Sequence, residues 1–339
     1  MSKLTDGLGL IKKQTVLRLW NAARIYSSFK ISKIRREAIH TGMPISISIE
    51  PTTSCNLRCP ECPSGLRSFT RPTGMMKPEL LESILHQLSP TLAYLIFYFQ
   101  GEPFLHPNLL EMVKAASKKK IYTATSTNAH FLTDEAARKT VESGLDRLII
   151  SIDGTTQETY QAYRIGGKLD KVIEGTKNIV RWKNELKSRT PHIIFQFLVV
   201  KPNEHQIEEV KKMTKELGVD ELRLKTAQIY DYKKGSELIP SIEKYARYKK
   251  EKDGSYSIKN KWADECWKMW HSCVITWDGK VVPCCFDKDA RYVLGDLNEM
   301  DFNEIWQGEK YSQFRQSLFN ARASIDMCRN CTEGSAVFA

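Results

Sequence analysis

The sequence predicts an α/β fold: an open, partial barrel of six parallel strands, followed by a small cysteine-rich C-terminal domain. Three observations predict it. Short apolar, β-rich runs alternate with longer helical patterns between residues 45 and 224. A loop bearing three cysteines directly follows the first of those runs. Beyond about residue 231 the composition turns to Lys, Glu, Ser, Tyr and Gly, and then to a Trp- and Cys-rich segment. Repeated strand–helix alternation implies a parallel sheet with right-handed crossovers, whose ligands bind at the C-terminal ends of the strands.

In chain order the expected strands are Ile45–Ile49, Leu92–Phe99, Ile121–Thr125, Arg147–Ile152, Ile193–Val200 and Glu221–Leu224. Several are nearly continuous in apolar residues, as strands covered on both faces should be. Between them the helical period places helices at Pro78–Leu88, Leu109–Lys119, Asp134–Ser143, Leu169–Leu186 and His205–Leu217. Pro78 suits a first turn, Thr133 a cap, and Gly144 and Gly218 the left-handed position past a helix end. A further helix, Phe302–Phe319, is expected near the C-terminus. The chain divides into a basic amphipathic arm (1–43), the barrel (44–235), and a linker with the cysteine-rich domain (236–339).

With 41% hydrophobic and 27% charged residues over 339 positions, the chain falls among globular proteins. No apolar run reaches the roughly 18 residues of a membrane span, and the N-terminus lacks the pattern of a secretory signal. A cytoplasmic location is therefore expected, where clustered cysteines are metal ligands more often than disulfides. The net charge of +11 is uneven: residues 1–40 hold nine Lys/Arg against two acids, a surplus of +7, and the rest carries +4. That excludes an evenly basic nucleic-acid-binding body. In the arm, Val16, Leu19, Trp20, Ala23 and Tyr26 share one helical face, with Lys13, Arg18 and Arg24 on the others. Such a helix either docks on the barrel through its apolar face or makes peripheral contact with an anionic membrane or a partner.

The first cysteine group is Cys55, Cys59 and Cys62, spaced C-x3-C-x2-C on the loop after the first strand. Three thiolates on one short loop can wrap a cubane cluster and leave its fourth iron open, as catalysis needs. The alternative is zinc, but structural zinc takes four protein ligands, and no fourth Cys or His lies nearby.

These residues resemble the signature of the radical S-adenosylmethionine (SAM) superfamily, in which this spacing follows the first strand of a partial (β/α)6 barrel. Gln100-Gly101-Glu102-Pro103 resembles the family's Gly-Gly-Glu-Pro, which binds the SAM amino group; Gln100 replaces the first glycine. Ser151, before Ile152-Asp153-Gly154, and Arg164 resemble the serine and arginine that hold the SAM carboxylate. Thr127-Asn128 resembles the family's Thr-Asn-Gly, with Ala129 in place of glycine. The resemblance spans about residues 44–230. It implies a SAM-binding [4Fe–4S] cluster on Cys55, Cys59 and Cys62, with SAM held by Gly101, Glu102, Ser151 and Arg164. It also implies reductive cleavage of SAM to a 5′-deoxyadenosyl radical, and an external donor such as flavodoxin or ferredoxin.

The remaining cysteines are Cys266, Cys273, Cys284, Cys285, Cys328 and Cys331. Asp278-Gly279 predicts a hairpin that brings Cys273 near Cys284. Cys328-x2-Cys331 alone fits a zinc knuckle as well as a cluster. The layout Cys266…Gly279…Cys284 resembles the SPASM and shortened "twitch" domains of radical SAM enzymes. The resemblance implies one auxiliary [4Fe–4S] cluster on Cys266, Cys284, Cys328 and Cys331, with Cys273 either replacing Cys266 or buried without a ligand role. No catalytic base is assigned; Cys285 stands where sulfatase-maturing relatives carry an acid, and Asp287 is the nearest carboxylate.

A fully ligated cluster beside the substrate favours net oxidation. The expected activity is therefore that of a radical SAM oxidoreductase acting on a small, sugar-like substrate. The alternatives are a peptide or protein maturase and, from a different class, a non-catalytic iron–sulfur or zinc sensor.

Overall fold

The structure, a computed structural model, describes residues 2–259 and 263–331. The chain begins with helices α1 (Ser2–Lys12) and α2 (Val16–Arg35). It continues as β1 (Ser46–Ile49), α3 (Pro63–Leu66), α4 (Pro78–Leu88), β2 (Tyr94–Ile96), α5 (Leu109–Lys118), β3 (Tyr122–Thr127), α6 (Asp134–Glu142) and β4 (Arg147–Ser151). Then come α7 (Gln157–Tyr163), α8 (Leu169–Glu185), β5 (His192–Val199), α9 (Ile207–Glu216), β6 (Glu221–Thr226), β7 (Tyr248–Lys250) and β8 (Tyr256–Ile258). The last part holds α10 (Lys268–His271), β9 (Ser272–Ile275), β10 (Lys280–Val282), β11 (Gly295–Asp296), α11 (Phe302–Gln307), α12 (Glu309–Ala321) and α13 (Asp326–Arg329).

All six expected strands form, parallel and in sequential order from β1 to β6. The sheet is an open barrel rather than a closed one. The C-terminal hairpin β9–β10 joins it: β9 runs parallel to β1, with Cys273 opposite Ile47, and the sheet reaches nine strands. β7 and β8 form a separate two-stranded sheet. The core strands β3, β4 and β5 are buried on nearly every residue, which is why β4 and β5 read as nearly continuous apolar runs. Thr133 caps α6 by accepting from Ala136 N, and Gly144 and Gly218 adopt φ of +77° and +72° just past α6 and α9.

Three expectations are corrected. The helix expected over Phe302–Phe319 is two helices, broken where Gly308 turns extended and ends α11. The segment expected to be helical from His205 opens as a 3-10 turn, Lys201–Gln206, and becomes α-helical at Ile207. In the arm, α2 does cross the barrel, but with the opposite face. Its buried residues are Arg18, Asn21, Ile25, Ser28, Phe29 and Ser32, while Val16, Leu19, Trp20 and Tyr26 face outward. Polar groups can dock a helix when they meet unpaired backbone. The Arg18 guanidinium donates to the carbonyls of Ser89, Lys119 and Lys120, at the C-terminal ends of α4 and α5, where a cation also meets the negative end of each helix dipole. Asn21 exchanges hydrogen bonds with the Met43 backbone. No helix among the described residues is long and apolar enough to cross a membrane.

Candidate active site

At the C-terminal ends of the strands, the loop after β1 carries Cys55, Cys59 and Cys62 into one cavity of about 140 Å³. Glu102, Thr127, Asn128, Ser151 and Arg164 share its lining with Gly101. Every SAM-site residue expected from the sequence is therefore brought together. Gly101 sits at φ +74°, and a methyl group there would overlap the carbonyl oxygens of Thr52 and Ser54. Only glycine lets the loop after β2 close this tightly against the cysteine loop. Gly101 N donates to Ser64 Oγ at 2.8 Å and Glu102 N to Ser54 O at 2.7 Å, which locks the two loops together.

The Glu102 carboxylate is buried and held from three directions. Thr127 Oγ1 (2.7 Å), Asn128 N (2.7 Å) and Phe104 N (3.2 Å) all donate to it. Burial raises its pKa, against those hydrogen bonds. Ala129 takes the left-handed conformation (φ 64°) that glycine adopts more easily, so the turn after β3 survives the replacement. Arg164 donates through Nε to Asp153 Oδ2 at 2.5 Å, and its Nη1 lies 3.7 Å from Cys59 Sγ. Asp153 is wholly buried and also accepts from Leu198 N at 2.7 Å. Burial disfavours the Arg164 cation, but Asp153 and Cys59 outweigh it and raise its pKa well above the usual value. Burial likewise pushes the Cys55 thiol up to about 12.

The C-terminal cysteines form a second group, buried behind Arg322. Cys266 acts electrostatically on both Cys284 and Cys328, and Cys331 also acts on Cys328. Arg322 sits among Cys266, Cys328 and Cys331, with Nη2 3.5 Å from Cys331 Sγ. The hairpin register, with Val274 opposite Val282, sets Cys284 beyond the pairing, level with Ser272 rather than Cys273. The charged group acting on Cys273 is Arg315. Cys273 is built into the sheet, paired beside β1 opposite Ile47. Both groups offer an all-sulfur donor set, which fits an iron–sulfur cluster.

Residues 49–213 match the radical SAM superfamily profile, and residues 266–332 match SPASM, an iron–sulfur cluster-binding domain. The chain is a radical SAM enzyme with a SPASM domain. It is 29% identical over 299 residues to the tungsten-containing aldehyde ferredoxin oxidoreductase cofactor-modifying protein of Pyrococcus furiosus, covering 79% of this chain and 82% of that one. It is 23% identical over 294 residues to the S-adenosyl-L-methionine-dependent 2-deoxy-scyllo-inosamine dehydrogenase of Niallia circulans, covering 85% and 93%. In fold it is similar to anSMEcpe with bound AdoMet, with a TM-score of 0.62, 20% identity, and 86% of each chain covered. The radical SAM domain takes a [4Fe–4S] cluster and SAM, and the SPASM domain takes auxiliary iron–sulfur chemistry.

A second cavity of this radical SAM enzyme, of about 360 Å³, is lined by segments that adjoin both cysteine groups in sequence. Its lining comes from Pro63, Leu66 and Ser68, just past Cys62, from Tyr230, from Phe286 to Asp289 with Arg291 and Tyr292, just past Cys285, and from Asp326 and Met327, just before Cys328. Lys288 lies 4.8 Å from the centre of the Tyr230 ring. Burial lowers its pKa, while Cys62, Cys285 and Glu61 hold it up. Lys288 and Tyr230 were not legible as site residues, because nothing in a lone Lys or Tyr distinguishes them from solvated ones. Asp153 stood in plain view, but its pairing with Arg164 is a tertiary contact. Asp287 lines this cavity, with its carboxylate accepting from the backbone N–H groups of Arg291 (2.8 Å) and Tyr292 (2.9 Å), an arrangement that shapes a turn.

Proposed function

We propose that this radical SAM enzyme oxidises a small polar, sugar-sized substrate held in the 360 Å³ cavity. The observation that carries this reading is the lining of that cavity: segments adjoining both cysteine groups wall it, and its Lys288 is within electrostatic reach of Cys62 and Cys285. Its volume lies at the small-molecule end of ligand sites. The similarity to a dehydrogenase of 2-deoxy-scyllo-inosamine supports the same reading.

In this proposal Cys55, Cys59 and Cys62 hold the first cluster. Glu102, oriented by Thr127 and Asn128, receives the SAM ammonium beside Gly101. Arg164, fixed by Asp153, and Ser151 receive the SAM carboxylate. Cys266, Cys284, Cys328 and Cys331 hold the auxiliary cluster, and Cys273 does not. With one electron from a donor such as flavodoxin or ferredoxin, bound cluster and SAM supply a 5′-deoxyadenosyl radical that abstracts substrate hydrogen. The auxiliary cluster supplies an acceptor for the second electron. Lys288 orients the substrate through its cation and a polar hydrogen bond, and Tyr230 and Phe286 shield that space from water.

Replacement of Lys288 by Ala tests the substrate site. The variant is expected to form 5′-deoxyadenosine from SAM and reductant as the parent does, yet to lose the faster formation that a polyol or amino-sugar substrate induces. Equal stimulation of parent and variant would contradict the site. Stimulation by a peptide instead of any small polyol would contradict the substrate class.

A further inference from the structure

The outward face of α2 carries large apolar side chains at both ends of the helix, although the helix is firmly docked. Val16 is 85% exposed, Trp20 63% and Ile34 82%, with Leu17, Leu19 and Ile31 also exposed. From Val16 to Ile34 these apolar groups span about 27 Å, with Ala23, Arg24, Ser27 and Lys30 exposed between them. This is not the surface of a loose arm. The opposite face is tied down by Arg18 and Asn21, by Phe29 against Trp267 and Trp270 at 5.2 and 5.3 Å, and by Lys33 on Glu265 at 2.8 Å. Nor does folding leave this face uncharged. No acidic residue occurs from Gly7 to Arg36. Of the eight cations in that stretch, Lys13, Arg18, Lys33 and Arg36 bond inward to the body, while Lys12, Arg24, Lys30 and Arg35 are exposed.

We propose that α2 is an in-plane membrane anchor that seats the enzyme on an anionic phospholipid surface. A row of apolar residues including Trp, flanked by Lys and Arg on a helix lying across the body, is the chemistry that enters the headgroup–acyl boundary. The exposed cations complement acidic headgroups. A second copy of this chain is the poorer occupant. A two-fold contact would set the same acid-free, basic face against itself. The position of the helix also fixes the orientation. Asp6 of α1 bonds to Tyr122 and Arg147 and Lys13, between the helices, to Asp146, all at the starts of β3 and β4, while Arg18 of α2 reaches the ends of α4 and α5. The arm therefore covers the N-terminal ends of β3 and β4, opposite the strand ends that carry the first cysteine group, and continues onto the C-terminal domain at Trp267 and Trp270.

The test is flotation of the full-length protein with vesicles of phosphatidylcholine alone or mixed with phosphatidylglycerol. The protein is expected to float with the mixed vesicles and not with the neutral ones. Trp20→Ser and Trp20→Glu are expected to remain at the bottom, with unchanged thermal unfolding and unchanged 5′-deoxyadenosine formation in solution. Arg24→Gln combined with Lys30→Gln is expected to weaken binding on the order of thirtyfold. Failure of the parent protein to float with anionic vesicles would overturn the proposal. So would equal flotation of Trp20→Glu, or a dimer in solution that Trp20→Glu turns into a monomer.

Discussion

The two cysteine groups are assembled in opposite ways. Cys55, Cys59 and Cys62 come from one loop, with Cys55 and Cys62 half-buried at the edge of a cavity that also holds Glu102 and Arg164. Cys266, Cys284, Cys328 and Cys331 are gathered from distant segments, and all four are buried. The first group is open and can share its metal with a ligand. The second is closed off and suits electron transfer without ligand binding. The first depends on local chain, the second on the whole C-terminal fold.

The largest effects separate the two groups. Cys59→Ala is expected to bring 5′-deoxyadenosine formation down to the assay background while the C-terminal group retains its iron, as read by metal analysis and electron paramagnetic resonance. Cys328→Ala is expected to do the converse: SAM cleavage within about twofold of the parent, and substrate oxidation lost. If that variant oxidised substrate normally, the closed group would not be an electron acceptor.

Smaller effects sharpen the description of the open group. Asp153→Asn leaves the buried Arg164 cation without its partner and is expected to destabilise the fold by about 3 kcal/mol, read from chemical denaturation, and to weaken SAM binding. Thr127→Val removes one of three hydrogen bonds to Glu102. The expected cost is about 1.5 kcal/mol, or roughly tenfold in the KM for SAM, with kcat little changed.

The same contrast explains what was legible in the sequence. The open group was, because its cysteines, Gly101 and Glu102 lie on loops at the ends of strands whose apolar runs are plain. The strand limits were less so. The run Leu92–Phe99 is apolar because it is covered, yet only Tyr94–Ile96 is strand, and the remainder carries Tyr98 and Phe99 to the cavity. At Gly308 the helical period continues across the break, and periodicity alone does not reveal that the backbone there is extended. The arm misled in a more instructive way. Its apolar face looked like the docking face, but Arg18 and Asn21 are satisfied by carbonyls and amides that only the folded barrel presents.

Iron and sulfide analysis of the anaerobically reconstituted protein, combined with an assay for 5′-deoxyadenosine, tests the two-group arrangement most directly. About eight irons per chain, falling to about four in Cys59→Ala and in Cys328→Ala alike, with 5′-deoxyadenosine formed only by the parent and Cys328→Ala, is the predicted result. About four irons with one zinc in the parent would contradict it.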